Sequence, residues 1–303
     1  MKWSYGITTV PSRMQTLLPR TVASLAAAGF DNPRLFVDGW HGDPTYLGLP
    51  VTTRDTPVRL VGNWYAGMYE LYSREPNANR YAMFQDDVLA VGNLRKYLER
   101  CIYPRDGYLN LYTFPENTKK GHTSGWAQSN QRGMGALGLV FNRDVLQMLL
   151  QSKRMANKPA DAGMRSWKRL DGGVVEGLKE FKVYEYVHFP SLLQHTGTEV
   201  SSLGNLIGRK PYQGVKSFPG ESQNALEYLL PEQSIPVERS EDPVAKAIEL
   251  IGANSEMIRL WINKDCPGCM RHERKRKLGA WASRVLLGKV DGAEDYLRKI
   301  LED

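Results

Sequence analysis

The chain has 303 residues, 42% hydrophobic and 24% charged, and its 40 Lys+Arg exceed its 33 Asp+Glu for a formal charge of +7. This suits one large α/β domain, or a main domain with a small appendage, and excludes a collagen, a disordered chain and a disulfide scaffold. The charge excess permits a polyanionic partner without demanding one.

In chain order, Ser4 to Val10 reads as a strand stopped by Pro11. Thr16 to Phe30 reads as a helix, with Leu17, Leu18, Val22 and Leu25 at helical spacing and Gly29 as its stop. Arg34 to Asp38 is a second strand closed by Gly39. Asn63 to Ser73 is helical, Arg80 to Leu89 is a third strand carrying Asp86 and Asp87, and Gly92 to Cys101 is a further helix. A strand from Tyr108 to Phe114, a polar Gly-rich loop from Gly121 to Gly133, a strand from Ala136 to Phe141 and a helix from Asp144 to Leu150 follow. After a basic loop come a helix from Asp171 to Lys179, a strand from Lys182 to Val187 and the stretch HFPSLLQHTGTEVSSLG. Residues 213–242 are rich in Pro, Gly, Ser and Glu and read as a linker or wrapping strap. Pro243 to Asn263 and Leu278 to Leu301 read as helices. The expected organisation is a domain over 1–212, the strap over 213–242 and a small helical C-terminal domain over 243–303. Strands alternating with helices predict a mostly parallel sheet covered on both faces.

Three cysteines, with Cys101 alone and Cys266 and Cys269 in a C-x-x-C, make no secreted disulfide framework. The amino terminus MKWSYGITTVPSR has no apolar core of a signal peptide, and no apolar run reaches the roughly 20 residues of a membrane span. The protein is expected to be soluble and cytoplasmic, with no membrane partner.

Ligands of open α/β sheets bind outside the carboxyl ends of the strands. Thr8 to Arg13, Asp38 and the Asp86-Asp87 pair all fall at such ends. Two adjacent carboxylates repel each other and call for a cation or strong donors, and a helix N-cap is the plain structural alternative. Because side chains alternate along a strand, the two are expected to face opposite ways. His195, in PSLLQHTG with SSLG beyond it, adds an imidazole in a polar loop.

In combination, TTVPSR, Asp38, Gln85-Asp86-Asp87 and PSLLQHTG…SSLG resemble the GT-A class of nucleotide-sugar-dependent glycosyltransferases over about residues 3 to 210. The resemblance implies a GT-A-like, Rossmann-like sheet flanked by helices. It also implies a nucleotide-sugar donor, UDP-linked, and a Mn²⁺ or Mg²⁺ ion held by Asp87 and His195. Thr8, Thr9, Arg13, Asp38, Asn63 and Asp86 fall where such enzymes hold the nucleotide. Family members show D-x-D or E-D-D, and Gln85 stands in place of the first acid, which removes a second acidic role there. Asp171 in LDGGVVEGL resembles the position of a catalytic base for inverting transfer, with Asp161 as the alternative. A retaining enzyme would need neither. Trp126 in the Gly-rich loop is a candidate to stack on a sugar or base, or a hydrophobic plug.

The positive charge is local. Lys153, Arg154, Lys158, Arg165, Lys168 and Arg169 face one acid, Asp161, and a second basic cluster spans 264–277. In the latter, Cys266, Cys269 and His272 offer three ligands for a structural Zn²⁺, with the fourth left open. The C-x-x-C tail resembles appendages of phage-encoded proteins. Together these features point to a phage-type enzyme transferring a sugar to a hydroxymethylated pyrimidine in DNA, 5-hydroxymethylcytosine included, in the host cytoplasm. The rival acceptors are a glycan, a protein or a small molecule. A nucleotidyltransferase and a non-catalytic nucleic-acid-binding protein with this fold are the other readings.

Overall fold

The structure is a computed structural model that describes residues 1–104, 106–118, 122–156, 170–196 and 215–229. The chain divides into two compact units, Met1–Leu230 and Pro231–Asp303, and the second lies outside the described residues. In chain order the first unit runs β1 (Trp3–Thr9), α1 (Pro11–Met14), α2 (Leu18–Ala27), β2 (Arg34–Asp38), β3 (Thr45–Tyr46), β4 (Leu49–Arg54) and α3 (Arg59–Arg74). It continues through β5 (Arg80–Gln85), β6 (Val88–Ala90), α4 (Leu94–Arg100), β7 (Gly107–Asn110), β8 (Gly125–Gln128) and β9 (Gly138–Asn142). Helices α5 (Arg143–Gln151), α6 (Lys153–Ala156) and α7 (Leu170–Lys179) precede β10 (Tyr184–Phe189) and β11 (Leu193–His195).

Nine strands form one sheet in the order β3-β4-β2-β1-β5-β9-β7-β10-β8. Strands β1, β2, β4, β5, β7 and β10 run one way, and β3, β8 and β9 run against them. The expected mixed α/β class, a mostly parallel sheet flanked by helices, holds. Alternation sorts the strands between two cores. Leu35, Val37, Ala82 and Phe84 face one side with Leu18 and Leu25 of α2, while Phe36, Tyr81 and Met83 face the other with Trp64, Met68 and Leu71 of α3. Each helix meets the sheet through apolar residues at helical spacing, and each fully buried large side chain contributes about 1.5–3 kcal/mol.

Several expected boundaries move. The third strand does not carry the two aspartates: β5 stops at Gln85, Asp86-Asp87 form a turn, and β6 leaves the main sheet to pair antiparallel with β11. The fourth strand ends at Asn110 because the Asn110 side chain accepts the Tyr112 amide at 3.1 Å. Part of the expected Gly-rich loop is β8, an edge strand antiparallel to β10. Helix α3 starts at Arg59, ahead of Asn63, because the Asp38 carboxylate accepts the amides of Val58 and Arg59 at 2.8 and 2.7 Å. The expected strap is described over 215–229, where it lies against this unit. Gly92 bridges to Asn224, and Val215 and Ala225 are buried. No helix among the described residues is long and apolar enough to cross a membrane.

Candidate functional site

The parallel pairing of β1 with β5 sets Thr8 beside Gln85, so the chain leaves both strands at the same edge with Thr9 and Asp86 adjacent. Thr9 Oγ1 donates to Asp86 Oδ2 at 2.6 Å. Arg13, on the single turn α1 that follows β1, donates through Nη1 to Asp86 Oδ1 at 2.7 Å and to Asp87 Oδ2 at 3.0 Å. The two carboxylates thus meet one guanidinium. The alternation argument failed because these residues occupy a turn, where side chains need not alternate.

Helix α2 holds that turn in place. The Thr21 hydroxyl lies 2.8 Å from the Asp86 carbonyl and accepts the Val88 amide at 3.0 Å, and Ser24 accepts the Ala90 amide at 2.9 Å. On the other side, β11 pairs His195 opposite Val88, and the Thr196 amide donates to the Asp87 carbonyl at 2.8 Å. This ribbon brings His195 Nε2 to 3.1 Å from Asp87 Oδ2. The neighbouring Gln194 exchanges two hydrogen bonds with the Val215 backbone at 2.8 and 3.1 Å, which ties the strap to the histidine strand.

Both aspartates are 2% exposed. Burial raises the Asp86 carboxyl, Arg13 opposes it and repulsion from Asp87 adds to it, for a net rise above the ordinary value. Burial also pushes Asp87 up, but the His195 hydrogen bond and the charges of His195 and Arg13 outweigh it and hold Asp87 low. Burial alone would lower the Arg13 guanidinium; the two carboxylates more than reverse this and raise it. The trio is therefore a carboxylate pair with unequal proton affinity under one fixed cation.

Asp87 Oδ1 is buried and has no hydrogen-bond partner among the described residues. A buried anionic oxygen left without a donor is costly, and a cation is the partner that suits it. Asp87 and His195 together offer one carboxylate and one imidazole, a donor set that suits Mn²⁺ or Mg²⁺ completed by phosphate oxygens and water. No group of three or more His, Cys, Asp or Glu that could hold a metal occurs among the described residues.

The other expected residues fall in different surroundings. Thr8 Oγ1 donates to the Phe84 carbonyl at 3.2 Å, inside the β1–β5 seam. Both Asp38 oxygens are engaged by the Val58 and Arg59 amides, and no nucleotide contact is needed to account for them. Asn63 lies within α3, 2% exposed, and donates to the Phe36 carbonyl at 2.8 Å, while its own Oδ1 has no partner among the described residues. Asp171 sits in the first turn of α7 and accepts the Gly135 amide at 2.8 Å. Asp161, Cys266, Cys269 and His272 lie outside the described residues, as do the basic positions 157–169 and 264–277.

Asp171 and the aspartate turn are joined through the 133–137 loop. Gly133, at φ +68°, packs so closely that a Cβ there would lie 2.5 Å from the Asp171 carbonyl oxygen. Gln85 donates its side-chain amide to the Ala136 carbonyl at 2.9 Å and its backbone amide to Leu137. Gln85 thus has a defined role as a donor, which a carboxylate cannot fill.

Sequence reasoning missed Glu185. It is 1% exposed and accepts Asn110 Nδ2 at 3.0 Å and Asn117 Nδ2 at 2.7 Å, and burial raises its pKa. Its backbone carbonyl accepts from Ser129 and Gln131, so it organises the segment that leads into the 133–137 loop. The signal was present: Glu185 is in phase with the buried Val183 and Val187. Trp126 packs among Tyr97 and His188, at ring distances of 6.5 and 5.0 Å, as an aromatic plug.

No protein-family profile matches the sequence, and no curated protein matches it. Among solved structures, a nucleotidyl transferase from Methanothermobacter thermautotrophicus is 17% identical with a TM-score of 0.40, over 62% of this chain and 86% of that one. A nucleoside-diphosphate-sugar pyrophosphorylase from Vibrio cholerae is 12% identical with a TM-score of 0.40, over 64% of this chain and 95% of that one.

Proposed function

We propose that the chain is a metal-dependent glycosyltransferase of GT-A type. It takes a UDP-linked sugar as donor and the hydroxyl of a 5-hydroxymethylpyrimidine in DNA as acceptor. One observation carries the enzyme reading: Thr9, Arg13, Asp86, Asp87 and His195 converge at the carboxyl ends of β1 and β5, with a buried Asp87 oxygen that lacks a partner among the described residues. The DNA reading rests on the basic clusters of the sequence.

Asp87 and His195 would hold Mn²⁺ or Mg²⁺, which when bound offsets the charge that builds on the departing diphosphate. Asp86, kept in place by Thr9, orients the nucleotide's ribose, and Arg13 supplies a guanidinium beside the diphosphate. Asp171, fixed by the Gly135 amide, takes the acceptor's hydroxyl proton in an inverting transfer.

Calorimetry tests the reading. UDP binding that requires Mn²⁺ and is lost in Asp87→Ala supports it, and no nucleotide binding under any metal would end it. A panel of sugar nucleotides incubated with hydroxymethylated and plain DNA, read by nucleoside mass spectrometry, tests the acceptor. Transfer to a glycan or peptide with no mass added to DNA would move the acceptor elsewhere.

A further inference from the structure

Glu185 lies within β10, and its buried carboxylate is held by neutral donors. Asn110 Nδ2 donates to Oε1 at 3.0 Å and Asn117 Nδ2 to Oε2 at 2.7 Å, and the Tyr108 hydroxyl lies 3.4 Å from Oε1. The same two amide nitrogens also donate to one backbone oxygen, the Met134 carbonyl, at 3.0 Å from Asn110 and 3.5 Å from Asn117. That carbonyl shares a planar peptide unit with the Gly135 amide, which donates to Asp171 Oδ2 at 2.8 Å. One rigid plane thus has the two asparagines of Glu185 at its oxygen and Asp171 at its hydrogen.

Gly133 and Gly135, at φ +68° and +74°, flank Met134, and glycines by themselves leave a peptide plane easy to rotate. The backbone of Glu185 fixes the segment just before them. Its amide donates to Gln131 Oε1 at 3.0 Å, and its carbonyl accepts the Ser129 amide and Gln131 Nε2, both at 2.9 Å. Resting on the proposed reading of Asp171 as the base, we propose that Glu185 is its positioning residue. Glu185 holds Asn110 and Asn117, the asparagines hold the Met134–Gly135 peptide, and the peptide sets the rotation of the Asp171 carboxylate. A base must lie within hydrogen-bond reach of the proton it takes, so a carboxylate that swings loses rate rather than donor binding. Position 185 calls for an acid because both its oxygens accept, whereas glutamine would turn a donor against one of the two asparagine donors. The two acids also sense each other: burial raises the Glu185 carboxyl, Ser129, Asn117 and Asn110 oppose this, and the charge of Asp171 adds to the rise.

The test has a spectroscopic arm and a kinetic arm, both on the full-length protein. With ¹⁵N-glycine labelling, Asp171→Asn identifies the Gly135 amide signal by shifting it. Glu185→Gln should move that signal toward its Asp171→Asn position while the signals of Gly6 and Gly67 stay in place. Asn117→Ala removes one of the two asparagine donors and should move it less far. It carries the test should circular dichroism show Glu185→Gln unfolded. A Gly135 signal that keeps its wild-type position in a folded variant overturns the positioning role. In the kinetic arm, transfer from the UDP-sugar that serves the wild type to hydroxymethylated DNA should fall about 10–100-fold in Glu185→Gln, with Mn²⁺-dependent UDP affinity unchanged. Glu185→Gln combined with Asp171→Asn should be no slower than Asp171→Asn alone, because both act through one carboxylate. Losses that multiply overturn the link between the two residues. Absence of any Mn²⁺-dependent UDP binding in the wild type overturns the proposed function instead, and the glycine signal still reads whether Glu185 places Asp171.

Discussion

His195 Nε2 stands 3.1 Å from Asp87 Oδ2 across 108 residues of chain, and backbone pairing sets that distance. The short β6–β11 ribbon and the Thr196 amide fix both residues at main-chain level, so the imidazole can be removed without moving the carboxylate. His195→Ala should therefore weaken Mn²⁺-dependent UDP binding by about 10–100-fold, and it should also lower the thermal midpoint, because the buried Asp87 loses a partner that offsets its burial. Calorimetry with differential scanning fluorimetry separates the two effects. Unchanged affinity would remove His195 from the site.

Gln85→Glu would place an acid ahead of Asp86-Asp87 and is expected to harm the protein. The Gln85 amide donates to the Ala136 carbonyl at 2.9 Å, and a glutamate there sets two acceptors face to face. The expected loss is about 1–3 kcal/mol in urea unfolding at neutral pH. The loss should shrink at acid pH, where a protonated Glu recovers a donor. A variant as stable as the wild type at pH 7 would show that the Gln85 bond contributes nothing.

The first strands and helices were legible because their burial is periodic: Tyr81 and Met83 go to one core, and Ala82 and Phe84 to the other. The aspartate turn was not legible, because Val88-Leu89-Ala90 resumes an apolar pattern at once and hides the break. What makes the break is tertiary, namely Arg13 on α1 and Thr21 on α2. Residue chemistry drew attention to Thr9, Arg13, Asp86, Asp87 and His195, and the fold brings these five together. Asp38 looked equivalent in sequence, since nothing local says that two amides about twenty residues later will occupy it.

That difference is measurable. Asp38→Ala removes acceptors from two amides at the start of α3 and should cost about 1–2 kcal/mol in urea unfolding. UDP affinity of the folded variant should match the wild type. Loss of UDP binding with stability unchanged would instead place Asp38 against the nucleotide.

His188 gives the fold a pH dependence that the wild type should show and a non-titrating variant should lack. The ring is fully buried, its Nδ1 donates to the Pro190 carbonyl at 2.7 Å, and Tyr97, Trp126 and Tyr228 surround it. Burial lowers its pKa from 6.5 to about 4. Above pH 6.5 the ring is neutral in both folded and unfolded chains, and its contribution to stability is fully present. As pH falls from 6.5 to 4 the unfolded chain takes up a proton that the folded chain refuses, and stability drops. Near pH 4 the folded ring protonates as well and the loss levels off, at about 3 kcal/mol in all. Urea unfolding of the wild type and His188→Phe at pH 4, 5, 6 and 7 isolates this term, because other titrating groups contribute to both. The gap between the two curves should shift in favour of the variant as pH falls. A gap that stays constant over that range would mean that the buried ring is not held neutral.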